Sequence, residues 1–203
     1  MANGVTDYFV GTNGTALDAI PSSAWTRHPL YTGGTLSVDG SGGVYSSASG
    51  QPFYYNSWQP PTGNQSVKFD IFWTSSVFSA QLTLLARFSP TANTGYILFW
   101  NDDGTGSGGT SGLILYKGVA GSFTYLGNPP ITFVFNTFYT IELSCIGTTI
   151  SVLVNGVVVL SVNDSSIATG VVGIGGQANS SSLKAHNYYA TTSNIGGHFQ
   201  THY

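Results

Sequence analysis

Residues 139–176 read YTIELSCIGTTISVLVNGVVVLSVNDSSIATGVVGIGG, and this stretch decides the fold. Asn155-Gly156 supplies two residues that accept positive φ, as the centre of a type I′ turn requires. That turn pairs Leu153 with Val158 and Val152 with Val159. A second tight turn at Gly147-Thr148 pairs Leu143 with Val152 and Ile141 with Val154. Side chains alternate along a strand, so one face collects Ile141, Leu143, Cys145, Ile150, Val152, Val154, Val157 and Val159. The other face begins polar, with Thr140, Glu142, Ser144 and Ser151, and turns apolar at Leu153, Val158 and Leu160. One apolar face across three strands predicts half the core of a β-sandwich.

The same alternation runs outward through the chain. Val67, Phe69, Ile71 and Trp73 are expected inside, with Lys68, Asp70 and Phe72 outside. Leu82, Leu84, Ala86 and Phe88 repeat the inward set, with Thr83, Leu85 and Arg87 on the opposite face. Asp7-Tyr8-Phe9-Val10 reads as a first short strand, and Trp25 is expected to plug one end of the sandwich. Pro21 and Pro29 argue against a long helix over residues 16–31. The pattern predicts ten to thirteen strands with no helix, internal repeat or interdomain linker. The expected architecture is all-β: a single two-sheet antiparallel β-sandwich over residues 1–192. An irregular tail, 193–203, is left to dock on a partner.

At 203 residues the chain is long enough to bury a core without staples. Charged residues make up only 6%, and five Lys plus Arg are spread thinly at a net charge of −3. Phosphate backbones and anionic membranes need a basic stripe, so nucleic acid is excluded as a partner. Cys145 stands alone, which rules out an intrachain disulfide and a cysteine metal cluster; its apolar face predicts a small buried hydrophobe. MANGVTDYFVGTNG lacks the basic and apolar regions of a signal peptide, and no apolar run of about 18 residues is present to span a bilayer. The expected setting is a virion surface or an extracellular space reached without the usual secretory signal.

Few residues point to chemistry. Glycoside hydrolysis needs two carboxylic acids facing one sugar, about 5–10 Å apart. The single glutamate, Glu142, could serve only if Asp70 lay on a neighbouring strand and the same face. No Gly-x-Ser-x-Gly elbow supports a serine triad, and His186, His198 and His202 lack zinc-site spacing. Residues 104–109 match Gly-x-Gly-x-x-Gly, but a strand follows where a dinucleotide site needs a helix. Asn101-Asp102-Asp103 crowds hard oxygen ligands into a loop, so Asp102 and Asp103 are the candidate metal ligands, for Ca²⁺, with a solvated turn as the alternative. Residues 51–64, QPFYYNSWQPPTGN, read as a loop presenting rings among amides. Sugars lay their C–H faces on such rings while amides meet their hydroxyls. Tyr54, Tyr55, Trp58 and Gln59 are therefore the candidate ligand-binding residues, with Trp100 and Asn101 as further lining; a protein contact would use the same residues.

Further features follow a recognisable order. They are Asp7-x-Phe9, Trp25, the arginine-bearing strand 84–88, Gly95-Tyr96 and residues 115–117, Leu-Tyr-Lys. Tyr139-x-Ile-x-Leu, Val154-Asn-Gly156, Asp164, Gly170-Val-Val-Gly173-Ile and His186-Asn187-Tyr188 complete the series. This order resembles the concanavalin A-like, laminin-G-like jelly rolls over residues 5–192. The resemblance implies a scaffold shared by lectins, adhesion modules, glycanases and virion proteins, in which calcium is often bound; fold alone does not choose among them. The glycanase pattern Glu-x-Asp-x-x-Glu is absent. Where relatives often carry a terminal-strand Asp, this chain has His186. The expected function is a non-enzymatic surface module: a decoration, tail-associated or receptor-binding protein that recognises glycans through loop aromatics. It would act as a homo-oligomer or within a larger assembly, against a glycan or a neighbouring surface protein. The alternatives are a carbohydrate-binding module of a larger secreted enzyme and a glycan-cleaving enzyme.

Overall fold

The computed structural model describes residues 4–21, 23–31, 33–47, 50–75, 80–102, 112–177 and 180–192. Fifteen strands are found among them. The first five are β1 (Gly4–Asp7), β2 (Trp25–Arg27), β3 (Leu36–Val38), β4 (Gly43–Ser46) and β5 (Phe53–Asn56). Next come β6 (Gln65–Trp73), β7 (Ala80–Ser89), β8 (Thr94–Asp102), β9 (Gly112–Val119) and β10 (Ser122–Gly127). The last five are β11 (Tyr139–Ile146), β12 (Thr149–Val154), β13 (Val157–Asn163), β14 (Val171–Gln177) and β15 (Ser180–Thr192). A 3₁₀ turn at Leu17–Ala19 is the one helical piece among the described residues. The predicted tail, 193–203, lies outside them.

The strands form two antiparallel sheets. The eight-stranded sheet runs β13-β12-β11-β6-β15-β4-β3, with β1 also paired to β15. The seven-stranded sheet runs β10-β9-β8-β7-β14-β5-β2. Between them lies one core, which includes Val67, Phe69, Ile71 and Trp73 from one sheet and Leu82, Leu84, Leu98 and Trp100 from the other. No helix among the described residues is long and apolar enough to cross a membrane.

The deciding hairpins form largely as the sequence predicts. Asn155 and Gly156 both take positive φ, 50° and 78°, and Val154 pairs with Val157 and Leu153 with Val158. Leu143 faces Val152 and Ile141 faces Val154. A bulge between Val152 and Leu153 then shifts the pairing by one residue, so Val152 meets Leu160 rather than Val159. The six apolar residues expected inside from β11 and β12 are buried, but Val157 is 65% exposed. Strand β13 is an edge, so the hairpin tip overhangs the core. Burial pushes the Cys145 thiol up to about 12, which keeps it an inert packing group.

Several residues of the jelly-roll pattern meet in space. Trp25 donates its indole N–H to Asp7 Oδ2 at 2.6 Å and stacks edge-on against Tyr188 at 4.9 Å. The first strand ends at Asp7, because Phe9 takes φ 51° and Asp7 Oδ1 accepts its backbone N–H. Tyr96 and Lys117, opposite each other on β8 and β9, both bond Asp164 beyond β13. Arg87 departs from the predicted alternation. Its φ is 48°, pairing shifts on both sides of it, and its side chain turns into the interior while Phe88 turns out. Its guanidinium donates to the carbonyls of Gly63, Ile167 and Gly147, each at 2.9 Å, and so ties three loops to β7.

Candidate functional site

Strand geometry divides the residues singled out in the sequence. The stretch 51–64 is not wholly a loop, since Phe53–Asn56 forms β5. Alternation along β5 sends Tyr54 into the core, fully buried, where its ring lies 6.0 Å from the Arg27 guanidinium carbon. Trp100, on β8, is also a core residue, with its ring 4.7 Å from that of Trp73. Both rings are therefore core packing rather than the exposed loop or lining aromatics that the sequence suggests. Trp58 is half-buried and packs against the core, whereas Gln59 beside it is exposed. Tyr55 and Asn101 fall together on the outer face of the seven-stranded sheet. Asp102 closes β8 opposite Ala80, and Asp103 lies outside the described residues. Among the described residues no three His, Cys, Asp or Glu side chains converge as a metal centre.

That outer face carries a groove of about 360 Å³, lined by Gln51, Gln81, Phe99, Ile114, Tyr116 and Phe123. The volume is at the lower end of the roughly 300–1,000 Å³ of small-ligand sites. One side is a row of amides. Gln177 on β14 pairs with Gln81 on β7, which pairs with Asn101 on β8. Gln51 extends the row by donating to Gln177 Oε1 at 2.5 Å, and Gln81 donates to Asn101 Oδ1 at 3.1 Å. The other side is aromatic. Phe99 and Tyr116 meet edge-on at 5.7 Å, and Tyr116 meets Phe123 at 6.1 Å and Tyr125 at 6.0 Å.

Two polar atoms at this face have no hydrogen-bond partner among the described residues: Gln81 Oε1 and, one row along, Thr83 Oγ1. Orphaned buried polar atoms are destabilising unless a ligand or water meets them. The aromatic side rests on a second apolar cluster of Phe53, Leu85, Phe88 and Ile97, with Tyr55 and Phe99 packed on it. His28 supports this cluster from the rim, its ring 5.4 Å from Phe88. Burial lowers the His28 pKa, and the neutral ring sets its Nε2 2.8 Å from the Pro90 carbonyl and accepts the Leu30 N–H at Nδ1.

The two carboxylates considered for glycoside hydrolysis sit on the opposite surface. Strands β6 and β11 are neighbours, so Asp70 and Glu142 do share one face. Asp70 accepts from the Thr140 hydroxyl at 2.6 Å and from the Asn187 amide at 2.8 Å, which engages both its oxygens. Glu142 is buried, accepts from the Ser66 hydroxyl and faces Lys68 across the strand pair. His186 pairs with Asp70 on the other side, and burial lowers its pKa despite the Asp39 carboxylate nearby.

Sequence alternation places Thr83 on this outer face but does not single out the groove residues Gln51, Gln81, Phe99, Ile114, Tyr116 and Phe123, nor Gln177 beside them. Polar amides at the ends of otherwise apolar strands were the available signal. Only strand pairing brings them into one row.

No protein-family model matches the sequence, and a search of curated proteins finds no match. Solved structures do match in fold. A family 66 carbohydrate-binding module from Bacillus subtilis is 16% identical, at a TM-score of 0.62, over 81% of this chain and 91% of that one. A protein of unknown function with a galectin-like fold, also from Bacillus subtilis, is 12% identical at 0.66, over 93% and 94%. A Crh5 transglycosylase in complex with NAG is 12% identical at 0.59, over 95% and 85%. Identities this low speak to architecture alone. The chain has the concanavalin A-like jelly-roll β-sandwich fold.

Proposed function

We propose that the protein is a non-enzymatic glycan-binding module whose site is the outer-face groove of the seven-stranded sheet. The reading is carried by one observation: a row of amides facing a wall of aromatic rings across about 360 Å³ of groove. Sugar rings present apolar C–H faces and hydroxyls that both donate and accept, and this pairing of surfaces suits both. Similarity in fold to a carbohydrate-binding module supports the same reading. The low charge of the chain fits a module on a virion surface or in an extracellular space, there as a decoration, tail-associated or receptor-binding protein. A glycan array tests the assignment. Wild type should bind at least one glycan, and Tyr116→Ala should weaken that binding by about tenfold or more, roughly 1.4 kcal/mol. Equal signals from the two proteins would remove the groove as the site.

A second reading, glycan cleavage or transfer, draws on Asp70 and Glu142 sharing a face and on the transglycosylase of like fold. Against it, both Asp70 oxygens already accept hydrogen bonds from neighbours. Reducing-sugar release from a polysaccharide panel, lost in Glu142→Gln, would favour this reading; no release from wild type would discard it.

A further inference from the structure

Four amides stand in line on the outer face, Gln51, Gln177, Gln81 and Asn101, and two of them, Gln51 and Gln81, line the groove. Each hydrogen bond within the row uses one N–H of an amino group and one lone pair of a carbonyl oxygen. The atoms that take no part in these bonds alternate along the row: Gln51 Oε1 accepts, Gln177 Nε2 donates, Gln81 Oε1 accepts, Asn101 Nδ2 donates. From Gln177 to Asn101 this pattern spans two strand spacings, roughly 10 Å. Gln81 Oε1, at its middle, is buried and has no partner among the described residues.

Among the described residues no charged side chain lines this groove. Arg27, Arg87 and Lys117 belong to the seven-stranded sheet but face its inner side, against Tyr54, the loop carbonyls and Asp164 respectively. Lys68 and Lys184 lie on the other sheet. A uronate or sulfate entering the groove would leave water without a cation to meet it, which is strongly unfavourable. A hydroxyl, which donates and accepts at once, matches an alternating amide row with no ion involved.

We infer that the groove selects an uncharged glycan, held across the strands with its hydroxyls on the amide row, one of them donating to Gln81 Oε1, and its ring faces on Phe99, Tyr116 and Phe123. The inference rests on the glycan-binding reading and adds to it the ligand's charge and the residue at the centre of recognition.

Affinity electrophoresis through gels containing soluble polysaccharides tests it. The neutral set is β-glucan, mannan, galactan and arabinoxylan; the acidic set is alginate, polygalacturonate and dextran sulfate. Wild type should be retarded by a neutral polymer and by none of the acidic ones. That retardation should change by less than about twofold between low salt and about 0.5 M NaCl, because no ion pair is screened. Gln81→Ala should weaken binding by about tenfold or more, as should Phe123→Ala, whose site on the exposed edge strand β10 spares the core. Circular dichroism confirms that each variant is folded; should Gln81→Ala fail to fold, Phe123→Ala and the salt series decide the matter. Retardation by any acidic polymer, a fall of about tenfold or more over that salt range, or wild-type affinity in both folded variants would overturn the inference while leaving glycan binding standing. Retardation by no polymer of either set would overturn the glycan-binding reading itself, and this inference with it.

Discussion

Arg87 is the residue on which the closed end of the sandwich depends. Its guanidinium is buried without a carboxylate and is satisfied by three backbone carbonyls from three separate loops. Gln65 fixes the same corner, accepting the Arg87 N–H at 2.9 Å and donating to the Gly170 carbonyl at 3.0 Å. The chain passes so close here that a Cβ on Gly170 would lie 2.2 Å from the Arg87 carbonyl carbon. Lysine has three donors on a single atom and cannot reach three carbonyls in a planar fork. Arg87→Lys should therefore lower stability by about 2–4 kcal/mol, read as a shifted urea midpoint with an unchanged slope. A shift under about 0.5 kcal/mol would show that these bonds contribute little. Arg87 stands in the jelly-roll pattern of the sequence, yet strict alternation puts it outside, because nothing in the residue types announces a bulge at that point.

At the scale of strands and turns, the 139–176 hairpins were legible because turn chemistry and alternation agree there. Asn155-Gly156 closes the β12–β13 turn in the left-handed region that those two residues tolerate best. Gly156→Val places a β-branched residue at φ 78° and should destabilise by about 1–3 kcal/mol, measured as a lowered Tm. An unchanged Tm would show the turn to be unimportant. Strand β5 was less legible, since its Phe-Tyr-Tyr-Asn lies among prolines and amides that read as a loop, and two of its rings serve opposite faces. The groove was illegible for a different reason. Its amides come from β7, β8, β14 and the approach to β5, segments far apart in the chain whose pairing no local pattern gives. Of the residues expected at a site, Tyr55 and Asn101 reach the outer face, while Tyr54 and Trp100 are taken by the core.

At the scale of the whole molecule, its ionisable groups make it acid-sensitive. Burial works against the Asp39 and Asp164 carboxylates, but Lys184 with the Ser41 and Gly43 N–H groups at Asp39, and Lys117 with Ser166 and Tyr96 at Asp164, together outweigh it and hold both well below the usual carboxylate range. Depressed carboxylates give stability that is present above about pH 4 and lost as pH falls through their folded values. Burial lowers the pKa values of His28 and His186, so the unfolded chain binds protons more readily than the fold does below about pH 6.5. All four effects have one sign. Tm should hold near neutral pH, begin to fall below about pH 6.5 and fall more steeply below about pH 4; a Tm that rises on acidification would contradict these assignments. His28→Asn, by removing one of the two histidines, should make the first decline shallower.

The sandwich leaves two broad outer faces, and the proposed binding site lies on only one of them. Backbone amide NMR, titrated with a glycan selected on the array, distinguishes them directly. The predicted result is shifts concentrated on Gln81, Phe99, Tyr116 and Phe123, with Asp70 and Glu142 unmoved. Shifts confined to Trp58 and Gln59, or to the Asp70 and Glu142 face, would contradict it.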